Sequence, residues 1–157
     1  MERPIMSPSD VPSDTIRKIE VVEYDLKWPE LFVVEAERIK QALGSNCIEI
    51  HHIGSTSIPG LSAKPVIDIL AVVRNIQEVD KAIKAMESLE YEAKGEYGIA
   101  FRRYFQKREN IRTHHVHVYQ EADPEINRYL KFRDWMRSHT SDAESYGKLK
   151  RELAKKF

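Results

Sequence analysis

The sequence predicts an α+β fold, a mixed sheet of about five strands flanked by helices, with further helices toward the C-terminal end. Three observations carry this reading. The run PVIDILAVV (65–73) is almost continuously apolar, as a strand covered on both faces must be. Shorter segments on either side alternate in polarity or carry β-branched and aromatic residues. Between and after them lie stretches whose apolar residues recur at helical spacing.

A chain of 157 residues is expected to bury roughly two-thirds of the surface that its unfolded form exposes, enough for a single core. With 41% hydrophobic and 32% charged residues, the composition is that of an ordinary globular protein. The 25 basic and 25 acidic residues cancel, so no global field draws in a polyanion, and nucleic acid is not an expected partner. No segment approaches the ~18 apolar residues of a membrane span. Cys47 stands alone, which suits a reducing compartment, and a cytoplasmic protein is expected.

In chain order, residues 1–15 hold three prolines among Ser and Asp and read as a disordered tail; a single domain is expected over 16–157. IEVVEYD (19–25) favours a strand. Trp28-Pro29 opens a helix in which Leu31, Val34, Ala36, Ile39 and Leu43 recur, and Gly44 ends it. Residues 47–53 alternate as a strand, after which GSTSIPGLS breaks all periodicity. Residues 77–89 carry Val79, Ile83, Met86 and Leu89 on one helical face. Residues 91–93 and 99–106 read as short strands about a Gly95–Gly98 turn, and THHVHVY (113–119) alternates. From Pro124 on the pattern is helical, with SHTSD (138–142) separating two helices.

Chemistry concentrates around the aperiodic loop. Gly54 lets backbone N–H groups approach an anion, and the hydroxyls of Ser55, Thr56 and Ser57 add donors, with Lys64 following as a cation. This describes a phosphate cradle, though not a Walker loop, whose spacing is absent; a solvated turn is the alternative. Asp68 is the only charge in the apolar run, and a carboxylate there needs a metal ion or a cation beside it. His115 and His117, two apart on a strand, share a face and form either a metal or proton-transfer pair or two ordinary sheet histidines. One of His51 and His52 can join them, since the two point to opposite faces. The basic stretch Arg102, Arg103, Lys107, Arg108 and Arg112 is either a solvated hairpin or an anion clamp, with Arg103 and Lys107 the first residues to test.

The string EIHHIGSTSIPGLSAKPVIDIL, with THHVHV later and YGKLKRELA at the end, resembles the GrpB family, placed in the nucleotidyltransferase superfamily that includes DNA polymerase beta. The resemblance covers about 19–157. It implies that Gly54 and Ser55 hold nucleotide phosphates and that Asp68 is the first of the carboxylates that bind Mg²⁺ or Mn²⁺. The second of those carboxylates falls at Leu70, and His115 and His117 stand where the third is expected. Members fused behind dephospho-CoA kinase imply a link to coenzyme A metabolism. Three functions are expected from the residues and this resemblance together. The first is a nucleotidyltransferase acting on a nucleoside triphosphate and an unknown acceptor, with Asp68 and His117 catalytic. The second is an eroded module that binds a nucleotide or CoA phosphate. The third is a metal protein using Asp68, His115, His117 and His52.

Overall fold

The protein is described here by a computed structural model covering residues 20–139 together with Lys148, Leu149 and Glu152. Helix α1, Trp28–Leu43, starts on Pro29 and ends at Gly44, whose φ of 68° terminates the turn. Its inner face carries Trp28, Ala36, Ile39 and Leu43. Strands β1 (Cys47–Ile53) and β2 (Ile67–Val73) follow on either side of the aperiodic loop. A 3₁₀ stretch, Ile76–Ala82, runs into the short helix α2, Ile83–Ser88. Strands β3 (Tyr91–Ala93), β4 (Arg103–Lys107) and β5 (His114–Gln120) complete the sheet. Helix α3, Pro124–Ser138, begins where the Asp123 carboxylate accepts from the Glu125 N–H at 2.9 Å.

The strand order is β1-β2-β5-β4-β3. Only β2 and β5 run parallel; the other pairs are antiparallel, so the sheet is mixed. The expected α+β class with its five-stranded sheet is the one observed. Alternation of side chains divides the sheet into two faces. Ile67, Ile69, Ala71 and Val73 of β2 join Val116, Val118 and Phe105 beneath α1 and α2 in the main core. Leu70 and Val72 face the other way and, with Ile53 and Tyr119, receive Ile126, Tyr129 and Leu130 of α3.

Three expectations shift. Residues 20–25 form no strand; Val22 alone exchanges two backbone hydrogen bonds of 2.9 Å with Ala63. The helical pattern of 77–89 begins as 3₁₀ and becomes α only at Ile83. The strand read over 99–106 starts at Arg103, because Tyr97 and Phe101 take left-handed backbone angles, φ 49° and 67°, that end any extended run. The expected tail over 1–15 and, apart from Lys148, Leu149 and Glu152, the segment expected to form a second C-terminal helix lie outside the described residues.

Beneath α1, burial forces three polar groups together. Glu35 and Lys107 are nearly inaccessible, 3% and 8% exposed. Lys107 Nζ lies 2.9 Å from Glu35 Oε2, which also accepts from the Tyr91 hydroxyl at 2.7 Å. Lys107 further donates to the Leu89 carbonyl at 2.6 Å. Burial alone pushes the Glu35 carboxyl up, but the Tyr91 and Lys107 hydrogen bonds reverse this and hold it below its ordinary value. Glu35→Ala strands the Lys107 ammonium and is expected to cost about 3–5 kcal/mol. Glu35→Leu combined with Lys107→Met should recover most of that loss; urea denaturation of the three proteins checks both statements.

Candidate functional site

The register of β1 on β2 sets the site. Ile53, the last residue of β1, pairs with Asp68, so the chain leaves the sheet at Gly54 directly beside the carboxylate. A Cβ at position 54 would stand 2.6 Å from Asp68 Oδ2. Gly54 also turns with φ 74° and ψ −178°, a region that side chains essentially exclude. A single 3₁₀ turn, Ser55–Ser57, follows.

The hydroxyls of this turn have different duties. Thr56 is buried; its hydroxyl donates to the Val66 carbonyl at 3.0 Å and lies 2.9 Å from His52 Nε2. Ser57 donates to the Gly54 carbonyl at 2.5 Å. Both therefore shape the loop instead of reaching outward as donors. Ser55 lines a cavity of about 150 Å³ together with Thr56, Lys64, Val66, Asp68 and His115. Helix α3 fastens the loop from outside: Arg137 donates to the Ser57 carbonyl at 2.9 Å and Arg133 to that of His52 at 3.3 Å.

Parallel pairing of β2 and β5 sets Asp68 beside His115 and Leu70 beside His117. Asp68 Oδ1 lies 3.5 Å from His115 Nδ1 and 3.4 Å from His117 Nε2. Burial pushes the Asp68 carboxyl up, yet these two histidines outweigh it and hold it at about 2. It is charged at neutral pH and partly open to solvent, with 28% of its side chain exposed. Behind His117, the buried Arg102 brings Nη1 to 3.4 Å from Nδ1. A guanidinium can only donate, so Nδ1 is the acceptor and Nε2 carries the proton directed at Asp68. Arg102 is held by the carbonyls of Glu96 (3.2 Å) and Tyr97 (2.9 Å) and lies over the Tyr104 ring at 4.8 Å.

Of the residues expected at the site, Gly54, Ser55, Thr56, Lys64, Asp68, His115 and His117 come together, with Ser57 closing the loop. His52, Arg103 and Lys107 do not. His52 pairs with Ile69 and so faces α1, where its ring stacks on Phe32 at 4.9 Å. Arg103 grips Asp80 with Nε at 2.8 Å and Nη2 at 3.2 Å. Lys107 is the buried partner of Glu35. All three fail for one reason, strand parity, which turns them to the opposite face. The same parity turns Arg102, Tyr104 and Gln106 toward His115 and His117. The basic-stretch reading favoured the wrong members; the apolar Phe105 between Arg103 and Lys107 was the signal that their face is the covered one.

A two-ion carboxylate site does not fit these residues. Leu70 is fully buried under α3, and the His117 nitrogen nearest Asp68 offers a proton, not a lone pair. Among the described residues, no group of three or more His, Cys, Asp and Glu side chains is arranged to hold a metal ion. Among them also, no helix is long and apolar enough to cross a membrane.

Comparison with known proteins agrees with the fold. A family model described as GrpB protein matches residues 18–157. UPF0157 protein YqkA of Bacillus subtilis is 51% identical over 138 residues, covering 88% of this chain, which spans only 40% of that protein. A dephospho-CoA kinase of Mycolicibacterium paratuberculosis is 30% identical over 76 residues, 46% of this chain and 19% of the kinase. The crystal structure of conserved protein GrpB from Enterococcus faecalis superposes with a TM-score of 0.85 at 46% identity, covering 87% of this chain and 83% of that one. The Cid1 poly(U) polymerase with MgGTP bound superposes with a TM-score of 0.51 at 12% identity, over 82% of this chain and 42% of Cid1. The fold is thus nucleotidyltransferase-like.

Two measurements follow from the geometry. Gly54→Ala introduces both the backbone strain and the collision with Asp68, and is expected to lower stability by roughly 1–3 kcal/mol in urea denaturation. His52 is pushed down to about 4 by burial and by the charges of Arg137 and Arg133. The unfolded chain takes up this proton near pH 6.5 while the folded one resists it, so stability is full above 6.5 and falls as pH drops from 6.5 to about 4. The expected loss is on the order of 3 kcal/mol, and His52→Gln should flatten that part of the pH–stability curve.

Proposed function

The chain belongs to the GrpB family, and from that premise we propose that it binds the phosphates of a nucleotide in the cavity between Ser55, Lys64 and Asp68. One observation carries the reading: the Gly54 backbone lies flush against a charged carboxylate, with Ser55 and Lys64 on the same cavity, in a nucleotidyltransferase-like sheet. Ser55 supplies a hydroxyl donor and Lys64 a cation for the anion. Were the ligand bound as its Mg²⁺ or Mn²⁺ complex, phosphate and water oxygens would supply most of the coordination that Mg²⁺ prefers, and Asp68 would be the residue of this chain to face it. The partial likeness to dephospho-CoA kinase adds CoA-type phosphates to the ligands worth testing. A cytoplasmic setting belongs to the same proposal and rests on the unpaired Cys47.

A second reading, nucleotidyl transfer to an acceptor, is favoured by a separate observation. Asp68 stays ionised and partly open, and the His117 Nε2 proton beside it gives the site a group able to hold or pass a proton. Calorimetric titration of the protein with ATP and Mg²⁺ or Mn²⁺, followed by an assay for pyrophosphate, separates the two. We expect binding that weakens about tenfold in Lys64→Ala, the equivalent of 1.4 kcal/mol, and that weakens also in Ser55→Ala, with no pyrophosphate released. Release that disappears in Asp68→Ala would establish transfer instead. An unmodified protein that binds neither ATP nor tripolyphosphate with either ion would overturn the phosphate site.

A further inference from the structure

The phosphate cavity has a neighbour. A larger cavity of about 270 Å³ lies against it and shares Lys64, Val66 and His115 with it. From this arrangement we infer that the larger cavity receives the nucleoside part of the ligand, its planar base read by the side-chain amides of Gln106 and Asn110. The inference rests on the phosphate site proposed above and adds to it the place, and the chemical class, of what the phosphate is attached to.

Three features support it. The first is position along the sheet. Asp68 pairs with His115, and His115 pairs with Gln106, so the three residues form one row across β2, β5 and β4 on a single face. Neighbouring strands lie about 4.8 Å apart, which puts Gln106 roughly 10 Å from Asp68, the distance from the phosphates of an extended nucleotide to its base. The second feature is the lining. Pro65, Val66 and Ile111 give apolar walls suited to a flat ring, while Gln106 and Asn110 each offer an amide with both donors and an acceptor. Amides of this kind pair with the edge of a base, which presents donors and acceptors in fixed order. The third is size. The two cavities together fall in the roughly 300–1,000 Å³ range of small-molecule sites, whereas the smaller one alone holds little more than phosphate.

The test compares tripolyphosphate with ATP, GTP, CTP and UTP, all as Mg²⁺ complexes, binding to the unmodified protein and to Gln106→Leu, Asn110→Leu, Ile111→Trp and Lys64→Ala. Thermal melts confirm that each variant is folded; Asn110, exposed on its loop, keeps the test available if Gln106→Leu does not fold. At least one nucleotide is expected to bind ten times or more tighter than tripolyphosphate. The amide variants and the cavity-filling Ile111→Trp should remove that advantage without changing tripolyphosphate binding, whereas Lys64→Ala should weaken both ligands. Tripolyphosphate binding with no gain for any nucleotide would overturn the nucleoside cavity and leave the phosphate site standing. A nucleotide preference untouched by the folded cavity variants would overturn it as well, and failure of every ligand to bind would remove both.

Discussion

A carboxylate set into an apolar strand must find its compensation sideways, from whatever the neighbouring strands bring to the same row. For Asp68 that row contains His115 on one side and, on the other, the point where β1 gives way to Gly54. The parallel pairing of β2 with β5 supplies the imidazoles, and the antiparallel pairing with β1 supplies a backbone with no side chain to obstruct. A slip of β2 by one residue against both neighbours would turn Asp68 into the core beneath α1. The register of three strands and the ionisation of one side chain are therefore a single constraint. The loop, its cavity and the anchoring arginines of α3 are arranged around it.

The sheet keeps its two sets of charges apart. Under α1, Glu35, Lys107 and Tyr91 satisfy one another, remote from the cavity face. On the other face, Asp68, His115, His117 and Arg102 form a chain of contacts at 3.4 to 3.5 Å that is open at one end. Closed networks stabilise a fold, and open ones leave a group available to a ligand. Arg102 belongs to the second kind although it lines neither of the two cavities described above: it decides which nitrogen of His117 holds the proton.

Much of the fold was legible in the sequence because the relevant signals are local. The apolar run of β2, the alternation of β1 and the proline and glycine that bound α1 each appear within a few residues. The loop and Asp68 were legible for the same reason, one by its broken periodicity and the other by its isolation in an apolar strand. What escaped were facts of register. Within the stretch of basic residues only the apolar Phe105 marks the face of Arg103 and Lys107 as the covered one; that Arg102 and Gln106 face the histidines follows only from the pairing of β4 with β5. His52 was misplaced by the same ambiguity. The start of β4 escaped for a different reason, since Tyr97 and Phe101 have strand-forming side chains on left-handed backbone.

Leu70 shows how one residue can decide between two architectures. It occupies the row beside His117 and is the floor on which Ile126, Tyr129 and Leu130 of α3 rest. A carboxylate there would be buried among these apolar side chains at the cost of desolvating its charge, so the seat of the helix calls for an apolar residue at position 70. Since α3 also carries the arginines that hold the Ser57 and His52 carbonyls, giving up that seat would release the loop it steadies. In this chain the Gly54–Ser57 loop is braced by a helix that is itself seated on the side chain of Leu70.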